Sequence, residues 1–331
     1  MKRICVLPGD GIGPEVIDCA VKVLRAATKD LEFVHADIGQ IAFKKYGRQL
    51  PEDTFELMRS CDSCLFGAVT SSESIDHESP VLRFRKDLDL YANLRPVKTL
   101  VNVPNRPPID VVIVRENSEG MYTQDEVFDD KGVTTMRRVT KRASERIVDF
   151  AIDYAIRAGR KKVTCVHKAN VLKASDGLFL MVFRDLMKEK GRGLTAAEQL
   201  VDSAAMKLVT EPGIFDVLVT LNLYGDILSD VAAGVAGGLG FAPSGNIGPK
   251  HSVFEPAHGS APDIAGKGVA NPTAAILAGA MMLDHLGMMR EAETVEQAVS
   301  GFYSSGHLTN DLGGRHGSAS FTDHVLKSIT G

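Results

Sequence analysis

Asn222-Leu223-Tyr224-Gly225-Asp226-Ile227-Leu228-Ser229-Asp230 follows the apolar run Phe215-Asp216-Val217-Leu218-Val219-Thr220. The run reads as a buried strand. Ile227, Leu228, Val231 and Ala232 then recur at helical spacing, with Gly225 at the turn between strand and helix. Asp226 and Asp230, four residues apart, therefore share one helical face. Two like charges there repel, and a helix N-terminus relieves each by roughly 0.3–1 kcal/mol. A divalent cation relieves more, and carboxylate oxygens suit Mg²⁺ or Mn²⁺ rather than zinc. Two solvated aspartates at a helix start would carry the same pattern, so this stretch alone leaves both readings open.

Strand and helix alternate outward from it. Arg3–Leu7, Glu32–Asp37, Cys64–Val69, Ile109–Val114 and Lys162–His167 read as strands, and Glu15–Ala27 and Arg142–Ala158 as amphipathic helices. Val133–Val139 alternates and predicts an antiparallel strand. Thr273–Leu286, Arg290–Ser304 and Phe321–Ile329 read as helices. The alternation implies an α/β layer fold with a largely parallel sheet. Pro8-Gly9-Asp10-Gly11-Ile12-Gly13-Pro14 imitates a dinucleotide loop but does not fit G-x-G-x-x-G, and Pro14 marks a helix start.

The bulk properties exclude several classes. The chain has 331 residues, 44% hydrophobic and 24% charged, with net charge −4. That balance gives a nucleic-acid partner no global electrostatic support. No apolar run reaches the roughly 18 residues of a membrane span, and the N-terminus lacks a secretory signal, so a cytoplasmic location is expected. The five cysteines are an odd number, which argues against a disulfide framework. Cys61-Asp62-Ser63-Cys64 has CxxC spacing but no second Cys/His pair at zinc-site distance.

Other positions are candidates by placement. Thr70–Pro80 is polar and reads as a surface loop facing a cleft. In the helix that follows, Val81, Leu82, Arg85 and Leu88 share one face, which places Arg85 on the stripe otherwise buried and points Arg83 outward. Arg95 ends a strand-like segment before Pro96. Lys168 stands at a strand end, where open α/β sheets place ligands. Asp202 begins a helix. Gly234–Gly248 is glycine-rich, with a loop expected at Pro243-Ser244-Gly245-Asn246. In the segment Phe254–Gly268, small residues let backbone approach a ligand, and an acidic side chain can accept from a ribose diol.

Together the blocks GDGIGPE (9–15), LDLYANLRP (88–96), VRENSEGMY (114–122), HKANVLKASDGLF (167–179), NLYGDILSD (222–230) and EPAHGSAPDIAGKGVANPTA (255–274) resemble the β-decarboxylating dehydrogenases: isocitrate, 3-isopropylmalate, homoisocitrate and tartrate dehydrogenases. The likeness is strongest to archaeal-type homoisocitrate and 3-isopropylmalate enzymes, and it runs over nearly the whole chain. It implies a two-domain, non-Rossmann α/β fold of the isopropylmalate-dehydrogenase kind with a mixed sheet. One domain would be 1–98 plus 237–331, for the cofactor, and the other 99–236, for dimerisation, metal and catalysis.

The resemblance also assigns roles. Arg85, Arg95 and Arg115 would bind the carboxylates of a 3-substituted malate, and Ser79, Val81 and Leu82 would meet its C3 substituent. Asp226, Asp230 and Asp202 would hold Mg²⁺ or Mn²⁺. Lys168 would be the base and Tyr122 the acid that quenches the enolate. Ile12, Thr70, Glu255, His258, Gly259, Ser260, Ala261, Asp263, Ile264 and Asn271 would surround NAD, with the pair Asp263-Ile264 setting the choice of NAD over NADP. The assembly implied is a homodimer, or a dimer of dimers, in which Lys168 and Asp202 serve the partner's site. Ser-Pro-aliphatic-aliphatic before Arg85 narrowly favours a homoisocitrate-type substrate. 3-Isopropylmalate is the alternative, isocitrate and tartrate or malate are further off, and a regulatory subunit on this fold is the non-enzymatic reading.

Overall fold

A computed structural model describes residues 1–70, 79–101 and 106–331. In chain order the main elements are β1 (Lys2–Gly9), α1 (Gly13–Ala27), β2 (Leu31–His35), α2 (Gln40–Tyr46), α3 (Glu52–Ser60), β3 (Ser63–Ala68), α4 (Pro80–Asp87), β4 (Ala92–Lys98) and β5 (Asp110–Glu116). They continue with β6 (Glu126–Asp129), β7 (Gly132–Thr135), α5 (Lys141–Arg157), β8 (Lys162–His167), α6 (Ser175–Lys190), β9 (Thr195–Leu200), α7 (Val201–Thr210), β10 (Val217–Thr220) and α8 (Asn222–Ala236). The last are β11 (Pro243–Ile247), β12 (Ser252–Pro256), α9 (Thr273–His285), α10 (Met289–Ser304) and α11 (Ser318–Thr330). Most of the loop expected at Thr70–Pro80 lies outside the described residues.

The chain forms two compact units. The first comprises Met1–Leu88, Gly237–Gly245 and Pro249–Gly331, and the second Asp89–Ala236 with Asn246–Gly248. In the first, β1 pairs in parallel with β2 and β3, and β3 with β12. Helices α1, α9, α10 and α11 pack together, with α1 on β1 and β3 and α9 on β12. In the second, β5, β10, β8 and β9 run parallel in that order, while β4 pairs antiparallel with β5. The α/β character and the mixed sheet expected from the sequence are therefore present. Of the antiparallel strand expected at Val133–Val139, only the first part forms, as β7 paired with β6 in a hairpin, while Arg138 makes an isolated bridge to Gly120.

Alternation along β5 sorts its neighbours. Val111 and Ile113 point into a core shared with Leu208 of α7 and Leu228, Ala232, Val235 and Ala236 of α8. Positions 228, 232 and 235 recur at helical spacing, so α8 is held by one apolar stripe, each buried Leu or Val contributing about 1.5–3 kcal/mol. The polar positions 222, 226, 229 and 230 fall on a different face of the same helix.

Three local readings change. The helix carrying the aspartates starts at Asn222, so Gly225 lies inside its first turn rather than at the strand–helix junction, and no acidic residue sits in that turn. Relief from the helix N-terminus is accordingly weaker than the sequence suggested. Pro243-Ser244-Gly245-Asn246 belongs to a buried strand, not a loop. Gly245 is needed there, because a Cβ would lie 2.8 Å from the Phe254 ring. Arg95 lies within β4 rather than at its end. Pro96 is tolerated because it faces Val112, whose N–H bonds Asp216 on the far side. That pair exchanges no ladder bonds, so β5 loses nothing by the missing N–H.

Candidate active site

In the second unit, β4, β5 and α8 assemble a charged cluster. Arg115, at the C-terminal end of β5, is 1% exposed. Its Nε donates to the Asn222 carbonyl at 3.0 Å, Nη2 to Asn222 Oδ1 at 2.9 Å and Nη1 to Asp226 Oδ1 at 2.5 Å. Arg95, from β4, donates through Nε to Asn93 at 2.7 Å and through Nη1 to Ser229 at 2.6 Å. The same Nη1 lies 3.3 Å from Asp226 and 3.6 Å from Asp230. Tyr122, in a short turn over Met121–Thr123, donates its hydroxyl to Asp226 Oδ2, and the Arg115 guanidinium lies over its ring at 4.8 Å. The structure thus joins Arg95, Arg115, Tyr122, Asp226 and Asp230.

Asp230 is 57% exposed at its side chain, yet partial burial raises its pKa, with Asp226 adding to the rise and Arg95 and Arg115 opposing it. A divalent cation would relieve both the burial and the like charge. The donor set fits Mg²⁺ or Mn²⁺, since both ligands are carboxylates. Within one chain the set is incomplete. Among the described residues no three His, Cys, Asp or Glu side chains converge for a metal.

Asp202 is elsewhere in the unit. β8 and β9 are parallel with His167 opposite Leu200, so their C-terminal ends emerge side by side. Lys168 and Asp202 follow, and Lys168 Nζ lies 2.5 Å from Asp202 Oδ1. That hydrogen bond holds the Asp202 carboxyl below the usual carboxylate range, helped by backbone N–H groups at the start of α7. Asp202 is 63% exposed, and neither side chain of this pair touches Asp226 or Asp230.

In the first unit, Arg85 is buried on α4, as the stripe implied. Nη2 donates to buried Glu255 at 3.1 Å, and Nε is buried with no partner. An idle donor on a nearly buried guanidinium is what a carboxylate ligand would satisfy. Arg83 does not point outward. It donates to Glu52 at 2.8 Å and to the Leu50 carbonyl at 3.2 Å, and lies over the Phe55 ring. Ser79 caps α4, accepting weakly from Leu82 N–H at 3.4 Å, and Val81 and Leu82 are partly exposed.

The nucleotide candidates cluster in the same unit. Ile12 N–H donates to the Ser260 carbonyl at 2.8 Å, and the hydroxyls of Thr70 and Ser260 meet at 2.9 Å. At Gly11, with φ +60°, a Cβ would fall 1.8 Å from the Ser260 oxygen, so only glycine permits this approach. Ala261 is left-handed and opens the turn Pro262–Ile264. Asp263 there is exposed and, among the described residues, makes no hydrogen bond or ion pair, leaving its carboxylate to an external donor. Burial lowers the His258 pKa, and its Nε2 is buried without a partner. Gly259 has open space where a side chain would be. Asn271 uses its amide within the protein, donating to Asp311 at 3.0 Å and accepting from Thr273 N–H at 3.0 Å. A neutral imidazole, an idle acid and a side-chain-free backbone fit an adenosine moiety.

Residues 3–329 match the family described as isocitrate/isopropylmalate dehydrogenase. The chain belongs to that family. It is 47% identical over 328 residues to the 3-isopropylmalate dehydrogenase of Methanothermobacter thermautotrophicus, covering 99% of this chain and 98% of that one. It is 48% identical over 329 residues to the isocitrate/homoisocitrate dehydrogenase of Thermus thermophilus, with coverages of 99% and 98%. The solved isocitrate dehydrogenase of Methylococcus capsulatus superposes with TM-score 0.96 at 41% identity, covering 100% of both chains. This family member is a β-decarboxylating dehydrogenase, an oxidoreductase, and enzymes of the family generally depend on a nicotinamide nucleotide and a divalent metal.

Several site residues of the dehydrogenase were not anticipated. Asn222 and Ser229 orient the arginines, and the spacing 222, 226, 229, 230 signals their shared face. Asp10 accepts from the N–H groups of Gln40 at 2.7 Å and Thr70 at 2.8 Å, fixing the turns around Gly11. Nothing local in sequence marks those contacts. The CxxC thiols are inert: Cys61 and Cys64 are buried, and both pKa values are raised, by burial at Cys61 and by contact with Cys5 and burial at Cys64.

Proposed function

We propose that this dehydrogenase oxidatively decarboxylates a malate bearing an aliphatic C3 substituent, with 3-isopropylmalate as substrate and NAD as cofactor. The carrying observation is the cluster in which Arg95 and Arg115 meet Asp226, Asp230 and Tyr122 on one face of α8. Arg95 and Arg115 hold carboxylate oxygens of the malate core. Asp226, Asp230 and the partner's Asp202 would hold Mg²⁺ or Mn²⁺, which supplies Lewis-acid polarisation of the hydroxyl oxygen and the adjacent carboxylate. His258, Gly259 and Asp263 would hold NAD, which would supply the hydride acceptor. The partner's Lys168 takes the hydroxyl proton. After loss of CO₂, Tyr122 delivers a proton to C3, its ring placed beside the site by the Arg115 guanidinium and its hydroxyl released from Asp226. Each acid–base group is worth roughly 10²–10⁴ in rate.

A homodimer follows from the same reading, because Lys168 and Asp202 stand apart from Asp226 and Asp230 within one chain. Exposed Ile227 on α8, Met206 and Val209 on α7 and Met181 on α6 support burial of that unit against a second copy. The substituent is read from α4. Val81 and Leu82 offer apolar contact, whereas Arg83 is held by Glu52, which withdraws the cation that a distal carboxylate would seek. The second reading, homoisocitrate, rests on Ser79, whose hydroxyl hydrogen stays available while its oxygen caps α4.

NADH formation with Mg²⁺ should be fastest, by kcat/KM, on 3-isopropylmalate among 3-isopropylmalate, homoisocitrate, isocitrate and malate. Preference for homoisocitrate would transfer the assignment to the second reading. Turnover of none would end the enzymatic reading of the cluster.

A further inference from the structure

Asp176, in the first turn of α6, is completely buried. A carboxylate in such a place is costly unless its oxygens are satisfied. Its partners come from three separate segments. Oδ1 accepts from Arg137 Nη1 at 2.6 Å. Oδ2 accepts from the backbone N–H of Lys168 at 2.6 Å and from the Tyr224 hydroxyl at 3.2 Å. The neighbouring Ser175 hydroxyl adds a weak contact to Oδ1 at 3.4 Å, and the Arg137 guanidinium lies over the Tyr224 ring at 5.1 Å.

The identity of the bonded atom matters. β8 ends at His167, so Lys168 is the first residue beyond the ladder and its N–H takes Asp176 in place of a strand partner. A tilt of about 10° at that peptide moves an ammonium carried about 6 Å from Cα by about 1 Å, a misplacement that can cost about 10²-fold in rate.

We infer that Asp176 is the positioning residue for Lys168, holding the strand end so that the ammonium meets the partner's site. This rests on the reading of Lys168 as a base borrowed by the partner. Asp176 also bonds Tyr224 on α8, which carries the chain's own Asp226 and Asp230. The inference is that its effect on turnover runs through Lys168 and not through that helix.

Mixed dimers separate the two routes. Subunits carrying Asp176→Asn and Tyr122→Phe, with different affinity tags, are co-expressed and isolated by tandem purification. The Asp176→Asn homodimer should lose about 10–100-fold in kcat with KM changed less than about threefold. The mixed dimer should recover about half of the wild-type kcat, because one site then combines an intact Tyr122 with a Lys168 held by an intact Asp176. A folded Asp176→Asn homodimer with kcat within twofold of wild type overturns the inference. So does a mixed dimer that stays as slow as its parents, since Asp176 would then act on its own chain's site. If Asp176→Asn does not fold, Arg137→Lys takes its place. That variant keeps the charge but loses the planar guanidinium that donates to Oδ1, and should show a several-fold kcat loss that Tyr122→Phe complements, with absence of complementation overturning the inference. The parallel mixture of Lys168→Ala with Tyr122→Phe tests the underlying reading alone. Its failure to recover activity would remove the borrowed base, whatever Asp176 does.

Discussion

Gly225→Ala tests whether the cluster is set by packing from beneath. By propensity alone the change is favourable, since alanine is better than glycine in a helix interior by about 1 kcal/mol. The structure predicts the opposite. A Cβ at 225 would stand 2.3 Å from Thr220 Oγ1 and 2.6 Å from Arg115 Cβ and Cγ. Ordinary contact begins at 3.4 Å, so Thr220 must retreat by 3.4 − 2.3 = 1.1 Å and Arg115 by 3.4 − 2.6 = 0.8 Å. Neither has room, for Thr220 is fully buried and Arg115 is held by Asn222 and Asp226. Overpacking of this kind costs about 1–3 kcal/mol. Net of propensity, the variant should be less stable by up to about 2 kcal/mol, lowering Tm by a few degrees. The larger effect is on chemistry, because a displacement near 1 Å at a positioned arginine costs about 10²-fold in kcat/KM. Calorimetry and steady-state kinetics on the same preparation decide it. A raised Tm with kcat/KM within twofold of wild type would refute the claim that Gly225 exists to seat Arg115.

Three further outcomes are expected. Asp202→Ala should abolish Mg²⁺-dependent turnover while each subunit still folds; retained activity would remove Asp202 from the metal set. Asp263→Lys with Ile264→Tyr should move kcat/KM from NAD⁺ toward NADP⁺, since a carboxylate there repels a 2′-phosphate, and an unchanged cofactor ratio would clear that turn of any role in the choice. Tyr303 is pushed up to about 12 by burial, against the hydrogen bond with Thr273. Its folded pKa exceeds the unfolded value near 10, so between about pH 10 and pH 12 the unfolded state ionises first and folding loses up to about 3 kcal/mol. Tyr303→Phe should therefore flatten the alkaline decline of Tm, and an unaltered decline would assign it to other groups.

What the sequence disclosed follows from the range of the interactions involved. Periodicity located the strands and helices because each buries a face of its own, as the stripe 228, 232, 235 does. The cluster was legible only through the family blocks, because Asp226 and Asp230 by themselves also suit a solvated pair, and Arg115 and Tyr122 lie far from them in sequence. Second partners were harder. Asp176 finds Lys168, Arg137 and Tyr224 only after four elements pack, and Asp10 finds Gln40 and Thr70 across two turns. Strand β11 was misread because Pro243, Ser244, Gly245 and Asn246 all favour turns. The flanking strands override that preference, and the buried Asn246 oxygen accepts from both Asn93 and Asn117 at 3.1 Å. Arg83 was misplaced because helical spacing gives a direction but not a partner: Glu52 and the Phe55 ring draw the side chain in.

That last displacement bears on substrate choice more than its size suggests. The alternatives differ by one group at C3. Burying an isopropyl group against Val81 and Leu82 yields about 0.8 kcal/mol per methyl or methylene equivalent, roughly 2 kcal/mol in all, and requires nothing else of α4. A distal carboxylate yields little by contact and must be compensated for the water it gives up. Among the described residues of α4 and its cap, the compensation is one serine hydroxyl and the first turn of an eight-residue helix, worth about 0.3–1 kcal/mol for an anion. Arg83 would have supplied a charge-assisted pair of roughly twice the strength of a neutral hydrogen bond, but Glu52 already holds it, with Asp87 3.7 Å away. Releasing it would break that pair and uncover the Phe55 ring beneath the guanidinium. Under the proposed function, the commitment of that cation is what turns the reading of α4 from the homoisocitrate-type substrate, narrowly favoured by the resemblance, to a branched alkyl group.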